Sequence, residues 1–362
     1  MPDDRHVTGG THVAELLPLR AEDPERPWSE PGVYTVAPGI HRIPLPLPGD
    51  ALKAVNVYAV DLDSTGGTML VDSGQIGSGA LEGLAAALAA LGRGLSDVRR
   101  ILVTHLHRDH FTLAVELRRL FGATVELGAG ERDSLSAVRK MVHGLEAQLD
   151  VLVRCGARDL VAQLRTVDGT GGMPQEIWEE PDHWLLDGAV VPAGQRSLTA
   201  VTTPGHTRGH LVFHDPRGAV MFTGDHVLPH ITPSIGFEAA PVAQPLRDFL
   251  DSLRRLRALP DARMLPAHGP VSPSVHARVD ELLAHHDARL AATAAQVARG
   301  RDSAASVAAG LTWTRRERTL AELDPFNRML AVLETKAHLD LLELQGVLTG
   351  EEVDGVRRYR TR

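Results

Sequence analysis

Residues 103–110 read Val-Thr-His-Leu-His-Arg-Asp-His, which packs three histidines and an aspartate into six positions. They follow the apolar run Arg-Arg-Ile-Leu-Val at 99–103, so the polar cluster falls at the C-terminal end of a buried strand. That is where α/β sheets present functional groups. In a locally extended chain, residues two apart point the same way, so His105, His107 and Asp109 converge while His110 turns to a neighbouring point. One metal ion would be met by the first two imidazoles and a second by Asp109 and His110. A first-row metal takes about four to six ligands, so this segment is incomplete alone.

Further candidates occupy the same kind of position, a strand end followed by glycine or a tight turn. His206 stands in Thr-Thr-Pro-Gly-His, Asp225 in Met-Phe-Thr-Gly-Asp-His and His268 in Leu-Pro-Ala-His-Gly-Pro; Asp72, in Met-Leu-Val-Asp-Ser-Gly, adds a carboxylate at another strand end. The chain has 18 histidines, and a single strand-end histidine or Gly-Asp pair is more often ordinary turn chemistry. The joint occurrence of four ligand-bearing segments on β-to-turn edges favours a metal site.

This ordered set, with its Thr-His-Leu-His-Arg-Asp-His element, resembles that of the metallo-β-lactamase-fold hydrolases over roughly residues 33–275. The resemblance implies an α/β fold, an αββα sandwich with two metal ions at one edge. His105, His107 and His206 would hold the first ion and Asp109, His110 and His268 the second, with Asp225 bridging. Asp109 and Asp72 are the expected catalytic residues, Asp72 acting from outside the ligand set by orienting it, as outer hydrogen-bond partners do. Five neutral imidazoles and two carboxylates leave two divalent ions with net positive charge. A bridging water would then lose a proton at about pH 7, and the hydroxide would attack an ester-like carbonyl or a phosphorus while a metal stabilises the oxyanion. Zinc is the expected metal, with iron and manganese as alternatives. No Gly-x-Ser-x-Gly elbow offers a protein nucleophile.

The presence of both His110 and Asp225 disfavours true β-lactamase activity, and His107 stands where the redox diiron branch carries glutamate. The full set looks like the glyoxalase II, lactonase and nuclease branches; persulfide dioxygenases share these histidines with a single iron. Phe111-Thr112 follow the motif where glyoxalase II proteins have glycines, and no cationic glutathione-binding set is evident in the tail, which argues against a glutathione thioester. The expected activity is therefore hydrolysis of an ester, thioester or lactone carbonyl. A phosphodiesterase or ribonuclease is the enzymatic alternative, and a non-enzymatic, metal-stabilised interaction module is the other.

Outside the motif, residues 1–30 read as a mobile leader and 31–275 as the catalytic unit. Within that unit, 130–180 form a helical insert, with a flexible stretch at 168–175, that serves as a lid or as a homodimer contact. Residues 276–362 are mostly helical and resemble a winged-helix-like C-terminal domain. In that branch a His-x-x-x-Arg pattern, here His285 and Arg289, opens the long helix; the plainer reading is an i,i+4 surface pair. His226 and His230 lie near the site edge as substrate contacts or polar loop residues, and His210 is either a further substrate contact or a residue just outside the ligand set.

Composition bounds the rest. A hydrophobic share of 43 % and a charged share of 23 % belong to an ordinary globular chain with a small-molecule substrate. The net charge of −8 disfavours nucleic acid as a partner, since phosphate binding depends on Lys and Arg. Cys155 is the single cysteine and reads as a buried, inert thiol. The first twenty residues lack a signal-peptide pattern, and the longest apolar run is short of the roughly 20 residues a membrane span needs. A cytoplasmic location and no membrane association are expected.

Overall fold

A computed structural model describes residues 17–23, 25–62, 67–141, 144–166 and 175–362. Eight strands form the first sheet in chain order: β1 (Leu19–Ala21), β2 (Val33–Ala37), β3 (Ile40–Pro46), β4 (Ala54–Asp61), β5 (Thr68–Val71), β6 (Val98–Val103), β7 (Thr124–Gly128) and β8 (His183–Leu185). The second sheet has the order β13-β12-β11-β10-β9, from β9 (Val190–Ala193), β10 (Arg196–Thr202), β11 (Leu211–Asp215), β12 (Val220–Gly224) and β13 (Arg263–Pro266). Helices α1 (Ala80–Ala90) and α2 (Arg108–Phe121) connect strands of the first sheet, and α3 (Arg132–Val138), α4 (Glu146–Arg154) and α5 (Arg158–Thr166) form the insert. Helix α6 (Pro245–Arg257) leads to β13, and α7 (Val275–Ala298), α8 (Ala304–Ala309) and α9 (Pro325–Leu344) follow. A closing antiparallel hairpin, β14 (Leu348–Val353) with β15 (Val356–Thr361), adds a wing to this helical tail.

Alternation along the strands generates the layers. In β6, Ile101 and Val103 face a core shared with α1 and α2, while Leu102 faces the space between the sheets. In β11, Leu211 and Phe213 point to that same space, and Val212 points outward to α6 and α7. Because side chains alternate with period two, each sheet buries both faces, and the expected αββα sandwich results.

One expectation needs correction. Residues 1–16 lie outside the described part, but the leader does not run to residue 30: β1 pairs in parallel with β2. The Glu22 carboxylate meets the Arg42 guanidinium at 2.9 Å. Arg42 is 1 % exposed, and a charge so buried requires a partner. The insert is tied into the molecule. Leu152 of α4 and Leu160, Val161 and Leu164 of α5 join the core that holds α7 and α9. Of the stretch 168–175, only Gln175 is described.

The tail is continuous with the rest of the molecule, since one apolar core includes Leu253 of α6, Val279 and Leu282 of α7, and Leu339 and Leu342 of α9. Ser274 caps α7 by accepting a hydrogen bond from the Ala277 N–H, and Asp324 does the same for α9 through the Asn327 N–H. Among the described residues, no helix is long and apolar enough to cross a membrane. Cys155 is buried and free, and burial pushes its thiol up to about 12, as expected of an unreactive sulfur.

Candidate metal centre

Strands β5, β6, β10, β12 and β13 end at one edge of the sandwich, which gathers Asp72, His105–His110, His206, Asp225 and His268. The two sheets are joined there by the Leu211 N–H donating to the Thr104 carbonyl at 2.8 Å. The extended run expected through Asp109 stops at His107. That residue is the N-cap of α2, with φ −79° and ψ 153°, so Asp109 and His110 sit in the first helical turn. An acidic side chain is favourable there because it faces the positive end of the helix dipole.

Beyond β12, Gly224 has φ +50°, and a Cβ on it would stand 2.6 Å from His210 Nε2. Only glycine brings the chain this close to His210 before turning out Asp225.

Two groups of potential ligands result. His105, His107, His206 and Asp225 form one, and Asp109, His110 and His268 the other; within each, one ligand atom per residue lies within 4.8 Å of all the rest. Asp225 stands between them. Its Oδ2 is 3.6 Å from His206 Nε2, and its Oδ1 is 3.4 Å from His268 Nε2 and 3.7 Å from His110 Nε2.

Outer partners orient the rings. His206 Nδ1–H donates to the Ser234 carbonyl at 2.9 Å and His268 Nδ1–H to the Ala54 carbonyl at 2.8 Å. His110 Nδ1 donates to Asp72 Oδ2 at 2.9 Å, and His105 Nδ1 lies 3.0 Å from the Thr104 hydroxyl. That hydroxyl and the Thr104 N–H both donate to Asp72, so Asp72 takes the orienting place expected of it. In all four rings Nε2 is the nitrogen turned inward; His107 turns Nδ1 inward, 3.2 Å from His206 Nε2. Nε2 of His105, His110 and His268 and Oδ1 of Asp225 are buried without a hydrogen-bond partner. Buried polar atoms are normally satisfied. Converging orphan donors of nitrogen and carboxylate type fit divalent cations.

Electrostatics divides the rings. Burial, reinforced by neighbouring histidines, holds His105 well below the usual histidine range, and burial pushes His107 down to about 3 and His206 to about 4. Burial acts the same way on His110 and His268, but Asp109 and Asp225 outweigh it at both and raise them, with Asp72 adding at His110. Burial tends to raise Asp109, yet His110 and His268 bring it well below the usual carboxylate range. Cation binding at this second group therefore competes with protons.

The remaining site histidines take different places. His210 is fully buried. It accepts from the Asp225 N–H at 3.2 Å and donates through Nδ1 to the Thr203 hydroxyl at 2.8 Å, so it braces Asp225 from behind the ligand set. His226 is also fully buried, packed on Phe249 with ring centres 4.6 Å apart, and it too is withdrawn from the mouth. Of the three, only His230 is exposed.

Sequence reasoning missed Glu131 and Glu238. Glu131, fully buried, accepts from the Thr207 hydroxyl at 2.5 Å and is steadied by the Leu106 N–H. It thus braces both histidine-bearing loops from behind. Phe237 was also missed; its ring centre is 5.9 Å from that of His107, and Phe326 of α9 packs edge-on against it at 5.6 Å. No local pattern marks these residues, because their partners are distant in sequence.

Comparison with known proteins agrees with this geometry. A metallo-beta-lactamase family protein of Thermus thermophilus is 30 % identical and superposes with a TM-score of 0.74, covering 91 % of this chain and 100 % of that one. A lactamase-like protein, nscB, of Arthroderma gypseum is 32 % identical over 136 residues, 34 % of this chain and 41 % of that protein. A hydroxyacylglutathione hydrolase of Fuscovulum blasticum is 28 % identical over 202 residues, 56 % of this chain and 57 % of that protein. The chain spans about half the length of these two curated relatives. The family model of the metallo-beta-lactamase superfamily matches residues 51–268, the stretch that carries every residue of the two ligand groups. This chain belongs to the metallo-beta-lactamase superfamily.

Proposed function

We propose that the protein is a binuclear metal-dependent hydrolase of an ester, thioester or lactone carbonyl. The observation that carries this reading is Asp225, whose two oxygens face two separate ligand groups. His105, His107 and His206 would hold one ion, and Asp109, His110 and His268 the other, with Asp225 shared. Zinc suits a donor set of imidazole and carboxylate. When bound, such ions supply a water acidified toward neutral pH and a Lewis acid for the carbonyl oxygen.

The chain's own residues supply the rest. Asp72, Ser234 and Ala54 accept the Nδ1 protons and so keep Nε2 lone pairs directed inward. Asp109, with its side chain 15 % exposed, is more open than Asp225 at 9 % and offers an ionised carboxylate on the open side of the centre. Phe237 beside His107 and Phe326 (40 % exposed) packed on it give the mouth an apolar wall, which favours an apolar acyl group over a strongly charged one. In this arrangement 31–275 is the catalytic unit, and the tail 276–362 contributes to its mouth through Phe326.

The test combines metal analysis with a panel of thioesters, lactones, esters and phosphodiesters. Two metal equivalents at this centre and turnover of carbonyl substrates are expected, with both lost in Asp225→Ala while the circular dichroism spectrum is kept. Full turnover in that variant, or turnover of phosphodiesters alone, overturns the assignment.

A further inference from the structure

Helices α7 and α9 bring together a second histidine cluster outside the centre described above. One ligand-capable atom each from His285, His286 and Glu334 lies within 4.8 Å of the other two. His286 is fully buried, Glu334 is half-buried and His285 is at the surface. The ring of Phe249 stands between this cluster and the first centre, 5.4 Å from His286 and 4.6 Å from His226.

The hydrogen bonds fix the tautomers. His338, on the same face of α9 as Glu334, has Nδ1 2.8 Å from the Glu334 backbone carbonyl. A carbonyl only accepts, so Nδ1 carries the hydrogen. Both rings are fully buried, a setting that disfavours the charged imidazolium. A neutral imidazole has one N–H, which leaves His338 Nε2 with a lone pair. It faces His286 Nδ1 at 3.2 Å, so that nitrogen is the donor. His286 Nε2 is consequently a bare lone pair, buried and without any hydrogen-bond partner. A histidine with its far N–H given to an outer acceptor and its near nitrogen unpartnered has the arrangement of a metal ligand.

We propose that His285, His286 and Glu334 form a separate transition-metal site of the zinc type, with His338 as the residue that orients His286. Two imidazoles and a carboxylate leave a fourth position for water. Bond lengths near 2.0–2.1 Å place ligand atoms roughly 3.4 Å apart, so from separations of up to 4.8 Å the exposed His285 side chain closes inward by up to about 1.4 Å. The neighbouring cation, Arg289, is engaged elsewhere, over the Trp313 ring at 4.0 Å and donating to the Thr312 carbonyl at 2.9 Å. A metal held here clips α7 to α9 and stabilises the tail.

Chelator-stripped full-length protein titrated with Co2+ alone tests this, by absorbance and by metal content after desalting. Wild type is expected to take up one equivalent more than His285→Ala and Glu334→Gln, and the hydrolytic activity of these variants should stay within about twofold of wild type. Asp225→Ala should retain the equivalent that His285→Ala loses, and that ion should raise its thermal midpoint by several degrees. Because the readout is a difference between variants, it is independent of how many ions the first centre holds. Equal metal content and affinity in wild type and His285→Ala would overturn the proposal, as would a metal-insensitive midpoint in Asp225→Ala.

Discussion

Glu238 offers the sharpest test of the physical account. It is 4 % exposed, and neither carboxylate oxygen has a hydrogen-bond partner. Burial, with Glu131 adding, pushes it up to about 8; burial alone pushes Glu131 up to about 7, against the Thr207 hydroxyl and the Leu106 N–H. The ordinary value is 4.5, so between about 4.5 and 8 the native state keeps a proton that the unfolded chain has released. Stability is therefore fully present below 4.5 and falls as pH rises toward 8. At about 1.36 kcal/mol per pH unit, the loss is roughly 2 kcal/mol at pH 6 and roughly 4 kcal/mol at pH 8. Glu238→Gln keeps the shape of the neutral acid without the titration. Urea unfolding at fixed metal concentration, followed by tryptophan fluorescence, should show the variant gaining on wild type by about 2 kcal/mol between pH 6 and pH 8. Curves that stay parallel to within about 0.5 kcal/mol, or a variant less stable than wild type at pH 8, would refute the buried-acid reasoning.

Two further outcomes follow from the same structure. Asp72 has φ +60°, which asparagine tolerates well, so Asp72→Asn should fold normally yet bind metal about 10- to 100-fold more weakly, as read by competition with a chromophoric chelator; unchanged affinity would show that its charge does not support His110. Leu152, in the insert, is fully buried, so Leu152→Ala should cost about 2–5 kcal/mol in chemical unfolding, and a loss under about 1 kcal/mol would show that the insert does not share the core of α7 and α9.

The ligands were legible because each is a polar residue breaking an apolar β run at a turn, a pattern local enough to read one segment at a time. The same logic found β6, whose last three residues, Ile101 to Val103, are buried. It failed for β8 and β9, which are three and four residues long and get their strand character from pairing with β7 and β10. The start of α2 was set too late, because His107 is an unusual N-cap with no side-chain hydrogen bond to the helix. His226 looked like a mouth residue from its nearness to Asp225 in sequence, but the tight turn at Gly224 puts its ring inside. Glu131, Glu238 and Phe237 carry no local signal at all. Their significance comes from contacts with residues 76 positions away for Glu131–Thr207, and from burial that only the assembled fold creates.

The division of the ligands between the two sheets has a consequence for how the protein is made. Asp72, His105, His107, Asp109 and His110 belong to the first sheet and are translated early. His206, Asp225 and His268 come from the second, and the final ligand lies just beyond β13. The growing chain would therefore have no complete grip on the first ion until Asp225 has emerged, nor on the second until His268 has cleared the ribosome and β13 has docked beside β12. Metal acquisition would in this sense be a checkpoint on assembly: it would reward only chains in which both halves have folded and met.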